Sequence, residues 1–365
     1  MKGLDPVTCH APLGVTSLHH PVPWITPGSP ARSSYPNSWA VTMRCLVKRL
    51  LPSFHRSRRR TPVEKDFDLL ERLDKDASIS EVRLGVERNT GREVAVKTVV
   101  KRKRPKTDQE EAVFRLMHHE NLVSLVDVYE DSKNVYFIME RCLGGDLIDF
   151  VEARGGRLPE HDVVEIMRQL VNAVAFMHDR HIVHGDIKPS NIMIDWTSHP
   201  GCLKVKLIDF GASHILDEND DATTRVTQGS PEFMAPEAVE RGETSVKSDI
   251  WSIGIVLFVM LAGFNPFNPR AENTCAMHRL ICNRVRCGFD GCTKSGYGPF
   301  FPEAIPISPA YKKLITALLN RDPRRRPSAK ALLSHPLISR NDADQQQAQA
   351  MPLTTPVPTM QKSPP

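Results

Sequence analysis

Three short motifs in a fixed order constrain this chain more than any other feature of its sequence. They are HGDIKPSN at 184–191, DFG at 209–211 and APE at 235–237. A fourth motif, VAVK at 94–97, puts a lysine inside an apolar stretch upstream of them. Any one of these motifs can occur by chance, but the ordered set with loop-sized gaps indicates a fold that brings the motifs together.

The ordered set resembles the catalytic motifs of the eukaryotic protein kinases, and its D-x-K-x-x-N form is similar to the serine/threonine type. The resemblance covers about residues 64–338. It implies an α+β, bilobal fold with a small antiparallel-sheet N-lobe that carries one helix and a larger helical C-lobe. It also implies an enzyme that uses Mg²⁺ and transfers the γ-phosphate of ATP to Ser or Thr hydroxyls of protein substrates.

The motif residues are of the types that phosphoryl transfer requires. The reaction needs a carboxylate to orient the substrate hydroxyl, cations on the phosphates, and oxygen ligands for Mg²⁺. By resemblance, Asp186 orients the hydroxyl and accepts its proton, while Lys188 neutralises the transferring phosphoryl group. Asn191 and Asp209 are the expected metal ligands.

Lys97 is expected to hold the α- and β-phosphates of ATP while it pairs with a glutamate on the next helix. The alternative is a solvated surface lysine, which the apolar strand pattern around it disfavours. Counting back nine residues from His119, as the family pattern runs, selects Glu110. Glu111 is the neighbouring competitor, and it would face about 100° away around the helix.

The other predicted ATP contacts follow from the resemblance alone. Met139 is the gatekeeper position, and the backbone groups of Glu140 and Cys142 are expected to bond the adenine. Asp146 is placed to meet the ribose hydroxyls or a basic substrate residue. The remaining predicted contacts are Ala77, Ser80, Val82, Ala95 and Met193.

The resemblance also predicts contacts that support the site without touching ATP. They are a stack of Phe210 between His184 and Phe114, an anchor of the catalytic loop at Asp249, and a buried ion pair of Glu237 with Arg326. Ser230 stands where the family usually has a threonine that bridges the catalytic aspartate and lysine, and it keeps the hydroxyl.

The phosphate-binding loop departs from the family pattern G-x-G-x-x-G-x-V. Anchoring the pattern on Val82 puts Lys75, Ala77 and Ser80 at the glycine positions. Side chains there restrict the close backbone approach and the positive φ that glycine allows, so we expect weaker ATP affinity. A pseudokinase or scaffold with weak nucleotide binding is therefore the alternative function.

Gly185 is a second departure, because the family usually has an arginine there that pairs with an activation-loop phosphate. We therefore expect a loop that needs no phosphate to be ordered. Retention of the two metal ligands and the base favours an active kinase over the scaffold, which has no physical need for them.

Several details are similar to the calcium/calmodulin-dependent kinase group, near its death-associated, Trio and myosin-light-chain-kinase-like branches. They include GGDL at 144–147 and SPEFMAPE at 230–237. Ser190 departs from these branches, which usually have a glutamate that helps to select basic substrates.

Apolar periodicity predicts the regular elements. The predicted strands are at 67–73, 82–86, 93–99, 123–129 and 135–140, and the predicted helices at 108–118, 160–178 and 247–262.

The sequence divides into three predicted regions. They are a Pro-rich then basic tail at 1–63, a kinase domain at 64–338 with an N-lobe at 64–140 and a C-lobe at 143–338, and a Gln/Pro-rich tail at 339–365. Both tails are predicted to be disordered.

Residues 43–60 mix apolar and basic side chains at near-helical spacing. The sharper interpretations are a membrane-surface, calmodulin-binding or nuclear-import segment. A basic linker is favoured, since Pro52 limits any helix to about two turns. Met43 is also a candidate start of translation, which would remove the first 42 residues.

The net charge is +5, and the basic surplus lies before residue 64. The folded region is not basic, so protein substrates are the expected partners and nucleic acid is not. No apolar run reaches the length of a membrane span, and prolines interrupt the start of the chain where a secretory signal would need an apolar core. We expect a cytoplasmic location, with the nucleus as the alternative.

Overall fold

The structure is a computed structural model in which part of the chain is described. The described residues are 47, 50, 53–55, 57–74, 80–101, 107–196, 203–216, 224–225 (backbone only), 229–267, 301 and 304–339. All of them belong to one compact unit of the chain. Of the predicted tails at 1–63 and 339–365, residues 1–42 and 340–365 lie outside them.

Five antiparallel strands form the N-lobe sheet, in the order β1-β2-β3-β5-β4. The strands are β1 (Phe67–Arg72), β2 (Ser80–Glu87), β3 (Glu93–Val100), β4 (Leu125–Glu130) and β5 (Asn134–Glu140). One helix, α1 (Thr107–Leu116), lies between β3 and β4 in the chain. The five predicted strands are all present, with ends that differ from the predicted ones by a few residues.

The two faces of the sheet belong to different apolar clusters, because successive side chains of a strand point in opposite directions. On β3, Val94 and Val96 pack into a small cluster with Phe67 and Tyr129. Val99 belongs instead to the main core, which also contains the buried side of α1. Since the side-chain period is two, Lys97 shares the main-core side of the strand and so faces the rest of the domain.

The C-lobe is built on two long helices. Its helices are α2 (Leu147–Glu152), α3 (Glu160–His178), α4 (Pro236–Arg241), α5 (Val246–Ala262), α6 (Pro309–Leu318) and α7 (Ala329–Leu333). Helix α3 packs against α5 and α7, and α5 also packs against α6.

Helix α5 is apolar on almost every side, which is the pattern of a buried helix. A capping box at Ser245 and Ser248 begins it, and Gly263 in the left-handed region ends it. Gly254 permits close approach to α6, since a Cβ there would lie 2.8 Å from the Cβ of Leu318. Among the described residues, no helix combines the length and apolarity needed to cross a membrane.

Short two-stranded antiparallel sheets flank the motif loops. β6 (Ile182–Val183) pairs with β9 (His214–Ile215), β7 (Ile192–Asp195) pairs with β8 (Lys204–Leu207), and the backbone of β10 (Thr224–Arg225) pairs with β11 (Glu243–Thr244). Backbone bonds between Val123 and Leu207 (3.0 Å) and between Leu207 and Asn121 (2.9 Å) tie β8 to the chain that enters β4. The DFG motif therefore follows a strand that is held from both lobes.

The basic segment differs from its prediction. Val47 is buried in the main core, Phe54 packs against that core, and Arg58 is buried in the N-lobe. The linker interpretation is therefore wrong for the described residues of 43–60, and the N-lobe contacts begin before the predicted boundary at 64. Ion pairs to carboxylates 50, 53 and 72 residues away along the chain hold Arg58, and local periodicity does not reveal such pairs.

Candidate active site

Lys97 lies on β3 and is only 3% exposed. Its Nζ donates to Glu110 Oε1 and to Asp209 Oδ1, both at 2.6 Å. A buried ammonium requires such partners, since an unpaired charge is strongly disfavoured away from water. The ion pair expected between Lys97 and Glu110 is present, and the same ammonium reaches the aspartate of the DFG motif.

Glu111 is buried as well, at 1% exposure, but it faces a different side of α1. It accepts hydrogen bonds from Arg58 at 2.7 Å and from Arg115 at 2.8 Å. Adjacent residues of a helix point about 100° apart, so only one of the two glutamates can face Lys97. The structure gives this position to Glu110.

A second cluster surrounds Asp186. Its Oδ1 accepts from the backbone N–H of Ser230 at 2.7 Å, and its Oδ2 lies 3.1 Å from both Lys188 Nζ and Asn191 Nδ2. Lys188 also donates to Ser230 Oγ at 2.7 Å. Ser230 thus joins the predicted base to the predicted cation, but it contacts Asp186 through its backbone N–H and only Lys188 through its hydroxyl.

Asp249 of α5 holds the catalytic loop from below. It accepts from the backbone N–H groups of His184 at 2.9 Å and Gly185 at 3.0 Å, and its Oδ2 lies 2.9 Å from His178 Nε2. Burial by itself raises the pKa of this carboxyl, but the bond from His178 and the nearby histidines outweigh it and lower the pKa overall. Asp249 therefore stays ionised and keeps accepting these bonds.

Asp209 has a φ of 64°, which is rare for a residue with a Cβ. Its Oδ1 also accepts from the Gly211 N–H at 3.0 Å. The next residue, Phe210, is fully buried, with ring centroids 4.8 Å from Phe114 and 5.8 Å from His184. Phe210 lies between the two rings as predicted, in edge-to-face contacts rather than a parallel stack, and these contacts hold the unusual backbone that turns Asp209 toward Lys97.

The side chains of β2, β3 and β5 line one surface next to Lys97. In the sheet register Val82 pairs with Lys97, and Ala95 pairs with Met139. Cross-strand partners point to the same face, so these predicted ATP contacts share the face of the lysine. Ser80 begins β2 at the end of this surface.

The predicted contacts after β5 lie beside β7. Met193 of β7 forms an isolated bridge with Asp146, whose Oδ1 accepts from the Asp149 N–H and caps α2. Cys142 follows the end of β5, and burial raises the pKa of its thiol to about 12, helped by Asp195 and Glu140. This thiol is therefore protonated at neutral pH.

Ala77, with the rest of 75–79, lies outside the described residues. The proposed positions of the phosphate loop therefore stay predictions. The activation loop is likewise undescribed at 217–223 and 226–228.

Sequence reasoning missed Lys206, a buried lysine on β8. Its Nζ donates to Glu140 Oε1 at 2.7 Å, and the same Glu140 atom accepts from the Ser124 N–H at 2.7 Å. The contact joins the strand before the DFG motif to the end of β5. A lysine between apolar residues in KVKLI was the available signal, of the kind that drew attention to Lys97.

Comparison with known proteins identifies the family. The sequence model described as protein kinase domain matches residues 77–338, which is more than half of the chain. The chain belongs to the protein kinase family. This kinase domain contains both ion-paired clusters described above.

Curated relatives of the kinase domain agree with the serine/threonine type. It is 36% identical over 263 residues to CDPK-related kinase 5 of Arabidopsis thaliana, covering 70% of this chain and 41% of the relative. It is 35% identical over 257 residues to calcium/calmodulin-dependent serine/threonine-protein kinase 1 of Oryza sativa subsp. japonica, covering 68% of this chain and 40% of the relative. It is 33% identical over 267 residues to human ribosomal protein S6 kinase alpha-1, covering 73% of this chain and 34% of the relative. The chain therefore matches about two fifths or less of the length of these relatives.

Proposed function

We propose that this kinase domain is an active, ATP-dependent protein serine/threonine kinase. The observation that carries the proposal is that two clusters are formed together. Lys97 pairs with both Glu110 and Asp209, and Asp186 lies within 3.1 Å of Lys188. A scaffold that only binds partners would have no need for both.

The Asp186 cluster supports in-line transfer to a hydroxyl. In the proposed reaction the substrate oxygen forms a bond to the γ-phosphorus while the bond from phosphorus to the β–γ bridging oxygen breaks, and the hydroxyl proton passes to Asp186. The bonds from Ser230 and Asn191 hold the Asp186 carboxylate in one orientation. Lys188 lies beside it, where its charge would stabilise the transferred group.

Asn191 and Asp209 fit the expected Mg²⁺ site. Asn191 uses its amide nitrogen toward Asp186, with donor distances of 2.8 and 3.1 Å, which leaves its oxygen as the ligand atom. The described residues contain no group of three or more His, Cys, Asp or Glu side chains that could hold a metal alone. This agrees with Mg²⁺, which is usually held by one or two protein oxygens together with substrate phosphates. When bound, the ion would offset negative charge on the phosphates.

The pseudokinase alternative rests on the glycine-free phosphate loop. Alanine and serine keep their backbone N–H groups, so the loop can still bind phosphate, and we propose a reduced ATP affinity rather than its loss. Protein substrates are the proposed partners, and we propose a cytoplasmic or nuclear location.

Transfer of radiolabelled phosphate from ATP to generic protein substrates tests the proposal directly. We expect incorporation on Ser or Thr with the wild-type chain, and Asp186→Ala should lower it by orders of magnitude, since general base and orientation effects combine here. Equal incorporation by the two proteins would reject the kinase assignment and favour the pseudokinase.

Loop phosphorylation should matter little. Gly185 has a φ of +80°, and a Cβ there would lie 2.7 Å from the carbonyl oxygen of Ala212, so this backbone favours glycine. Because no arginine stands at 185, a loop phosphate has no partner at this position. Asp209 and Phe210 are held instead by their contacts with Lys97, Phe114 and His184. We expect phosphatase-treated enzyme to keep its activity within about twofold of untreated enzyme. A large loss would show that another basic group receives a phosphate.

A further inference from the structure

Residues 53–55 and 57–60, here called the N-terminal clamp, lie against helix α1 and the edge of the sheet. Arg58 is its buried residue, with a side chain only 6% exposed. Its guanidinium contacts Glu111 (2.7 Å), Asp108 (2.6 Å) and Glu130 (2.6 Å). Two of these carboxylates belong to α1 and the third ends β4, so one side chain joins the helix to the sheet.

The backbone of the clamp is fixed as well. Arg59 donates its N–H to Val128 and accepts from the Glu130 N–H, both at 2.9 Å. These bonds pair the clamp with β4, which is the edge strand of the sheet. The clamp therefore satisfies an open strand edge while it presents Arg58 to the helix.

Two further side chains of the clamp reach α1. His55 Nε2 lies 2.9 Å from Asp108, and the guanidinium of Arg115 lies 5.5 Å from the centre of the Phe54 ring. Hydrogen bonds to the three carboxylates outweigh the effect of burial and raise the pKa of Arg58, so it stays charged.

Helix α1 carries Glu110, the partner of Lys97. The helix has only 10 residues, and a helix of this length is marginal unless tertiary contacts hold it. Without Arg58, the buried Glu111 would keep its bond from Arg115 but lose the bonds from the clamp, and a small rotation of α1 toward water would hydrate the exposed part of its carboxylate. The same rotation would carry Glu110 away from Lys97, because both glutamates lie on one rigid helix.

We propose that the N-terminal clamp, through Arg58, holds α1 in the rotation at which Glu110 reaches Lys97. Arg58 is then a positioning residue for phosphoryl transfer, and this inference rests on the proposed kinase activity. No sequence motif assigns it such a role, and the segment precedes the region that matches the family.

The test compares Arg58→Gln and Arg58→Lys with the matched control Arg59→Gln in the full chain. Arg59 belongs to the same segment and carries the same charge, but its side chain is 56% exposed and pairs with Asp127 of β4. We expect kcat to fall about 10- to 100-fold in Arg58→Gln, since small misplacements of a site have effects of this size. The kcat of Arg58→Lys should lie between those of wild type and Arg58→Gln. The kcat of Arg59→Gln should stay within about twofold of wild type.

Two further measurements separate positioning from simple loss of stability. Combined with Glu110→Gln, Arg58→Gln should lower kcat by much less than it does alone, while the decreases in melting temperature add. Hydrogen exchange of the amides of 107–116, measured well below the melting temperature, should speed up in Arg58→Gln and not in Arg59→Gln.

The outcomes are distinct. An inactive wild-type chain would reject the kinase proposal itself. A wild-type chain that is active, with Arg58→Gln of unchanged kcat or unchanged exchange in α1, would overturn the role of the clamp. If Arg58→Gln lowers kcat by the same factor with and without Glu110→Gln, the role of the clamp is overturned too.

Discussion

Asp209→Asn should remove nearly all turnover while leaving the fold intact. Asparagine keeps the shape and the oxygen that accepts from Lys97 and the Gly211 N–H, at 2.6 and 3.0 Å in the structure. It loses the negative charge expected to hold Mg²⁺. Metal ions supply several kcal/mol of charge stabilisation in such reactions, and about 4 kcal/mol corresponds to about a thousandfold in rate.

Initial rates with saturating ATP and a generic protein substrate measure this loss, and thermal unfolding checks the fold. Asp179→Asn is the matched control, because that aspartate is exposed at the end of α3. A melting temperature that drops sharply in Asp209→Asn would point to structural damage. Residual turnover above about a tenth of wild type would contradict the assigned role.

Arg326→Met should strongly destabilise the C-lobe. Arg326 is 1% exposed and makes paired bonds to Glu237 at 2.7 and 2.8 Å. It also donates to the carbonyls of Lys247 and Asn320, both at 2.8 Å. Removing one partner of a buried ion pair leaves an uncompensated charge, with a loss of about 3–5 kcal/mol in the free energy of unfolding. For a domain of this size we expect a drop of about 10 °C in melting temperature.

Urea unfolding and thermal melts measure this effect. The control is Arg324→Gln, whose arginine side chain is 80% exposed. The double variant Glu237→Met/Arg326→Met should recover part of the stability, because it removes the stranded carboxylate. A single variant that loses less than about 1 kcal/mol would show that water or a rearranged neighbour satisfies Glu237.

Local patterns in the sequence determined the elements and the chemistry of the site. The period of apolar residues predicted all five strands of the N-lobe and its helix, since a strand or a helix buries one face at a characteristic spacing. The motifs identified Asp186, Lys188, Asn191 and Asp209 by type, and the structure brings them together as two ion-paired clusters. Their roles in catalysis stay proposals until turnover is measured.

The tertiary structure decided which charged groups meet. Glu110 and Glu111 are equivalent in type and adjacent in the chain; the family spacing selected Glu110, and the rotation of α1 on the sheet is the physical reason that it reaches Lys97. Arg58 and Lys206 find carboxylates 53 and 66 residues away, respectively, and no spacing rule predicts such pairs. Periodicity describes what a segment buries on itself, whereas a buried charge depends on partners that arrive only when distant elements pack.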